Sequence, residues 1–325
     1  MSAKDVIVLN SHGVGQYAYC DRMPRWGETL SVRKWHIAED GGKGSNVTVA
    51  LGRLGLNVAY IGKVGNDAWG DLGDRWMREA GADTTYLYRD PGVSTGTGLV
   101  LIAPDGRNSI IDGDSSGAAL TIEEVDAAID AMAGSKYFVT GFEIPEEVAL
   151  AGARHACELG MKTVLNPSPL PEGGLSPIGY IDYLFVNEVE SEHIAGVSAN
   201  DPRELAAAVL RVTGAKNVVV TLGSEGSCAL TEEGDFIEVD PVHVDNVANT
   251  AGAGDGFMAA TVAGLVREKS LREAMEWASH YAALVVTIDG TIPAYRPLDE
   301  VEAFIEREDV LSWGDSFLSG GMEHN

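Results

Sequence analysis

KYFVTGFEIPEEVALAGARHACELGMKTVLN, residues 136–166, decides the fold class. The aromatic and β-branched residues of KYFVTG (136–141) and KTVLN (162–166) follow one another rather than alternating with polar ones. That is the pattern of strands buried on both faces, as in a parallel sheet. Between them, 146–159 carries a helical pattern. Strand, helix, strand is the repeating unit of a doubly wound α/β domain.

The unit recurs outward in both directions. Short apolar runs stand at 6–9 (VIVL), 57–62 (NVAYIG), 98–103 (GLVLIA), 183–187 (YLFVN) and 217–223 (NVVVTLG). Helical patterns fall at 45–54, 70–80, 122–132, 202–213, 255–268, 270–286 and 298–306. Thr121 with Glu124 has capping-box spacing, and Asp201-Pro202 puts proline in a first helical turn. Two segments break the alternation. Residues 11–40 hold one Pro, three Gly and two Trp but no helical period, and 93–112 reads as a hairpin around Pro104-Asp105-Gly106. Both are expected to form a small β appendage. The tail, 308–325, has no regular pattern.

The chain has 325 residues, 45% of them hydrophobic, enough for a large core. Its net charge of −26 argues against nucleic acid or an anionic membrane surface as partner. Cys20, Cys157 and Cys228 are scattered and form no metal-binding spacing, which fits a reducing cytoplasm. No apolar run approaches the length of a membrane span.

Chemistry concentrates in two glycine-rich entries to helices. NTAGAGDGF, residues 249–257, precedes the apolar run MAATVAGLV. Gly252, Ala253 and Gly254 there leave bare amides at a helix N-terminus, an anion hole fit for phosphate. A carboxylate beside such a hole repels phosphate but can take a proton from a hydroxyl that attacks it. Asp255 is therefore read as a general base, with a plain helix cap as the alternative. The second entry is GGKGSN, residues 41–46, where Lys43 adds a cation and Asn46 an amide. It lacks the Walker A spacing.

GGKGSNVTVALGRLG and NTAGAGDGF together resemble the N-terminal and C-terminal signatures of the ribokinase (PfkB-type) carbohydrate kinases. VGND (64–67), NPSP (166–169), VNEVE (186–190) and TLGSEG (221–226) match in order and spacing. The resemblance implies a three-layer α/β fold, with a mostly parallel sheet and a small β-sheet lid. Residues 1–10, 41–91 and 113–325 would form the core; 11–40 and 92–112 would form the lid, which also makes a homodimer contact. It implies a cytoplasmic enzyme that transfers the γ-phosphate of ATP, with Mg2+, to a primary hydroxyl of a small carbohydrate. Asp255 matches the base, and Gly252, Ala253 and Gly254 match the hole for the transferred phosphate. Gly42, Lys43, Asn46 and Glu143 match sugar-side positions. Asn187, Thr221, Gly223 and Gly226 match the ATP side, and Glu190 a water-mediated Mg2+ ligand. Asn187 and Glu190 have helix capping as their alternative reading. Arg107 reads as a turn residue or a lid contact to an anion.

Two departures stand out. Where the family's first strand leads to a sugar-binding Asn and Asp, this chain has Gly13 and Gly15; Gly13 is retained as part of the substrate pocket. His12, Gln16 and Asp21 are candidates for replacement contacts. The C-terminal signature opens on Asn249 rather than Asp, which weakens a K+ site formed with Ala251, Val286 and Thr291.

Three other readings compete. GVGQYA (13–18) matches a dinucleotide fingerprint, but Pro24 and the lack of helical period after it exclude the helix that fingerprint needs. Within the family, a nucleoside-type kinase or a non-catalytic relative remains the alternative.

Overall fold

The computed structural model describes residues 2–37, 40–104, 108–113, 115–196 and 201–307. Asp105, Gly106, Arg107 and the tail 308–325, on which expectations were placed, lie outside them. Nine strands form the main sheet: β1 (Val6–Leu9), β4 (Val58–Gly65), β5 (Asp83–Asp90), β8 (Tyr137–Gly141), β9 (Lys162–Asn166), β10 (Tyr183–Asn187), β11 (Asn217–Thr221), β12 (Ser227–Thr231) and β13 (Phe236–Val239). Their order is β13-β12-β11-β10-β9-β8-β1-β4-β5. All neighbours are parallel except β12, which runs antiparallel to both β11 and β13.

Strand alternation divides the core into two layers. Val6, Val8, Tyr60, Val139, Phe185 and Val219 point to one face, packed under α1 (Gly42–Arg53), α2 (Ala68–Glu79), α7 (Ala253–Val266), α8 (Leu271–Val286) and the helix at 298–307. Ile7, Leu9, Phe138, Leu184, Val218 and Val220 point to the other, under α3 (Ile122–Ala131), α4 (Glu146–Glu158), α5 (Glu188–Ala195) and α6 (Pro202–Thr213). This is the three-layer architecture that two-faced strands require. The capping box of Thr121 with Glu124 and the Asp201 cap ahead of Pro202 are both present.

A second, four-stranded sheet holds β2 (Gly13–Tyr19), β3 (Lys34–Ile37), β6 (Gly96–Ile102) and β7 (Asn108–Asp112), in the order β3-β2-β6-β7. It is built from the two segments that broke the alternation. Ala18, Cys20 and Leu101 form its own small core. Trp35 and Ile37 on β3 and Ile111 on β7, its two edge strands, are exposed.

The chain leaves β1 toward β4 on one side, while β8 lies on the other. Strand order thus reverses beside β1, and the carboxyl ends of β1, β8, β9, β10 and β11 share one edge. Open parallel sheets bind ligands in the crevice at such a reversal.

Candidate active site

Helix α7 begins at Ala253, two residues before the sequence pattern placed it, so Asp255 is its third residue. Gly252 caps it with φ of 76°, and a Cβ there would lie 2.5 Å from the Tyr295 hydroxyl. Only glycine fits that turn. The Tyr295 hydroxyl donates to the Gly252 carbonyl at 3.1 Å and pins the turn. Among the described residues the N–H groups of Gly254 and Asp255 find no carbonyl partner, and nothing stands within 4 Å of where a Gly254 Cβ would be. These are the unsatisfied donors of a helix N-terminus, with open space above them.

Helix α1 enters the same cleft from the opposite end of the sequence. Gly42, with φ of 70°, lies where a Cβ would come within 3.2 Å of Glu143 Oε2. Lys43 places its Nζ 3.5 Å from Asp255 Oδ1, and that carboxylate, followed by Glu143 and Glu190, holds the ammonium pKa above its ordinary value. Asn46 is 3% exposed and donates to Asp255 Oδ2 at 3.0 Å and to Asp40 Oδ1 at 3.1 Å. Its Oδ1 accepts from Gly41 N–H and from the Thr291 hydroxyl. The amide is thus fully engaged by protein groups, which changes its reading. Asn46 bridges the Asp255 and Asp40 carboxylates through its side-chain nitrogen.

Glu143, just past β8, closes the cleft from the sheet side. Its Oε2 accepts from Ser11 Oγ at 2.8 Å and from Lys43 N–H at 2.9 Å. Burial pushes its carboxyl up to about 7, against the opposing pull of the Lys43 ammonium. His12 is not a replacement sugar contact. It is fully buried, its Nδ1 lies 2.7 Å from Ser45 Oγ and its Nε2 3.1 Å from the Trp69 carbonyl. Nδ1 also lies 3.1 Å from the Gly41 carbonyl, and burial lowers the ring's pKa, so His12 ties α1 to the start of α2. Asp21 is paired with Arg33 on the surface.

Beyond these amides a cavity of about 410 Å3 opens. Thr221, Gly223, Gly226, Ala253, Gly254 and Val286 are among its lining residues. The ATP-side expectations on β11 and its loop therefore meet the phosphate-side expectations on α7 at one wall. Asn187 and Glu190 form a reciprocal capping box at the start of α5, as their alternative reading held. Glu190 is half-buried there, with Oε2 on the Asn187 N–H at 2.9 Å.

The residues expected around K+ carry these contacts. Val286 O accepts from Ala248 N–H at 2.8 Å and Asn249 N–H at 3.2 Å, filling both lone pairs. Asn249 Oδ1 accepts from Ala251 N–H at 2.9 Å. The Thr291 hydroxyl points to Asp40 and Asn46. The Val286 carbonyl and the Asn249 side-chain oxygen are thus engaged by N–H donors, and position 249 contributes no negative charge.

The expectations missed Asp40 and Ser11, both within hydrogen-bonding distance of the residues above. Neither belongs to a glycine-rich signature, and only the fold brings them in.

Comparison with known proteins accords with this geometry. The profile of the pfkB family carbohydrate kinases matches residues 24–297. The chain belongs to that family and is a sugar kinase, a phosphotransferase whose acceptor is an alcohol. It is 30% identical over 304 residues to a deoxyribokinase of Salmonella typhi, covering 93% of this chain and 98% of that one. It is 29% identical over 300 residues to a ribokinase of Staphylococcus aureus, covering 91% and 98%. Among solved structures, Arabidopsis thaliana ribokinase complexed with ribose and ATP superposes with a TM-score of 0.81 at 26% identity, covering 93% and 98%. Ribokinase from Thermotoga maritima gives 0.83 at 26%, covering 93% and 99%.

Proposed function

We propose that this kinase transfers the γ-phosphate of ATP to a primary hydroxyl of a small carbohydrate, with Asp255 as general base. One observation carries the reading: a carboxylate, an ammonium and unpaired helix-start amides converge at Asp255, Lys43 and Gly254. The sugar lies between Gly42, Lys43 and Glu143, beside the glycines Gly13 and Gly15. The nucleotide occupies the cavity lined by Thr221, Gly223 and Gly226, with its terminal phosphate over the amides of α7. Asp255 takes the hydroxyl proton, the oxygen bonds to phosphorus, and the bond to the β-phosphate oxygen breaks to release ADP. Lys43 neutralises charge gathering on the transferred group.

Mg2+ supplies charge neutralisation on the phosphates when bound. Among the described residues no cluster of three acidic, His or Cys side chains is arranged for a metal. The uncapping oxygen of Glu190 fits a water-mediated contact to an ion that arrives with the nucleotide, as Mg2+ habitually does.

The four-stranded sheet serves as a lid over the sugar. Its exposed Trp35, Ile37 and Ile111 would pair with a second copy of the chain. Free thiols at Cys20, Cys157 and Cys228 are in keeping with a cytoplasmic setting.

ADP release measured over a panel of pentoses, ketohexoses, sugar acids and nucleosides tests the reading. Turnover on one sugar class is the expected result; turnover on nucleosides alone would replace it with the nucleoside-type activity.

A further inference from the structure

The Asp40 carboxylate has no part in the mechanism above, yet it lies inside the site. Its Oδ1 accepts from Gly42 N–H at 3.2 Å, Asn46 Nδ2 at 3.1 Å and the Thr291 hydroxyl at 3.2 Å. The same Asn46 nitrogen is 3.0 Å from Asp255 Oδ2. The two carboxylates are one amide apart, within the span of a single small polyol. Asp40 is half-buried, and among the described residues its Oδ2 accepts no hydrogen bond.

The neighbouring strand supplies no side chain. Gly13 N–H donates to the Gly41 carbonyl at 3.0 Å, and Gly15 N–H to the Asp40 carbonyl at 3.4 Å. Strand β2 therefore lays two bare glycines along residues 40–41. A sugar bound there would meet backbone where an amide and a carboxylate are expected, and would lack the acceptor that β2 would otherwise supply.

We infer that Asp40 is a specificity-determining residue: its carboxylate, carried on the segment before α1, accepts hydrogen bonds from sugar hydroxyls beside the one that is phosphorylated. The inference rests on the reading of this cleft as a sugar site. A charged acceptor facing hydroxyl donors discriminates strongly against substrates that lack them, because an unmet buried polar group is costly.

Asp40→Asn separates this role from a structural one. The amide keeps an oxygen for Gly42, Asn46 and Thr291, and exchanges only Oδ2 for a donor. ADP-release kinetics would be measured with ribose, 2-deoxyribose, fructose, tagatose and further deoxy analogues of the best substrate. The expected result is a fall of roughly tenfold or more in kcat/KM for the best sugar, with the KM for ATP and the Tm near wild type. For the deoxy analogue lacking the hydroxyl that Asp40 reads, variant and wild type should converge. Asp40→Ala, which also removes Oδ1, should lower Tm as well. The inference is overturned if Asp40→Asn keeps wild-type kcat/KM on the best sugar, or loses equally on every analogue. A wild-type enzyme that releases no ADP with any sugar would overturn the sugar reading itself, and Asp40 with it.

Discussion

Asn46 Nδ2 lies 3.0 Å from Asp255 Oδ2 although 209 positions separate the two residues. The contact joins the start of α1 to the start of α7 and makes one cleft of two glycine-rich turns. It also fixes the rotamer of the proposed base, because the same amide is held from behind by Gly41, Thr291 and Asp40.

Asn46→Ala should therefore act on kcat as well as on stability. It leaves the buried Asp255 carboxylate and the half-buried Asp40 without their shared donor, at a cost of about 1–3 kcal/mol. Thermal unfolding and steady-state kinetics check this together. A lower Tm with kcat reduced more than the KM for ATP is expected; an unchanged kcat would show that Asp255 needs no orienting partner.

Glu143 gives the fold a pH signature. Its folded pKa, about 7, is raised above the ordinary carboxylate value by burial. A raised carboxyl favours the folded state while it is protonated. That contribution is complete below the unfolded pKa and is lost as pH rises through about 7. Relative to Glu143→Gln, the wild type should lose on the order of 1–3 kcal/mol between pH 5 and pH 8. Chemical denaturation of both proteins across that range reads the difference; parallel curves would refute it. Lys43, Asp255 and Tyr60 are the charged or ionisable neighbours of Glu143, and the Glu143→Gln comparison leaves them in place.

Gly252→Ala should destabilise the protein by about 1–3 kcal/mol, from the positive φ and the collision with Tyr295. ATP binding should weaken with it, since the turn aims the amides of α7. A Tm loss without any change in the KM for ATP would separate the turn from the phosphate site.

Replacing K+ with tetramethylammonium should change kcat less than about twofold, because the oxygens of Val286 and Asn249 are already filled by N–H donors. A strong K+ dependence in the same assay would mean that this loop rearranges.

Much of the sheet was legible because buried parallel strands such as VIVL and YLFVN are continuous apolar runs. Strand β5, DTTYLYRD, was not: it is an edge strand, polar on one face. Strands β12 and β13 form a short antiparallel extension whose five and four residues carry little periodic signal. In the site, glycine entries exposed the backbone chemistry of residues 252–254 and 42. The partners of Asn46 and the place of Asp40 depend on contacts across 209 and 251 positions, which no local pattern encodes.

The most direct test of the account is Asp255→Asn, assayed for sugar phosphorylation at saturating ATP. The carboxamide keeps an oxygen for Asn46 but accepts no proton. The account predicts a fall of about 10²–10⁴ in kcat with both KM values within a few fold. A variant that turns over at the wild-type rate would contradict it.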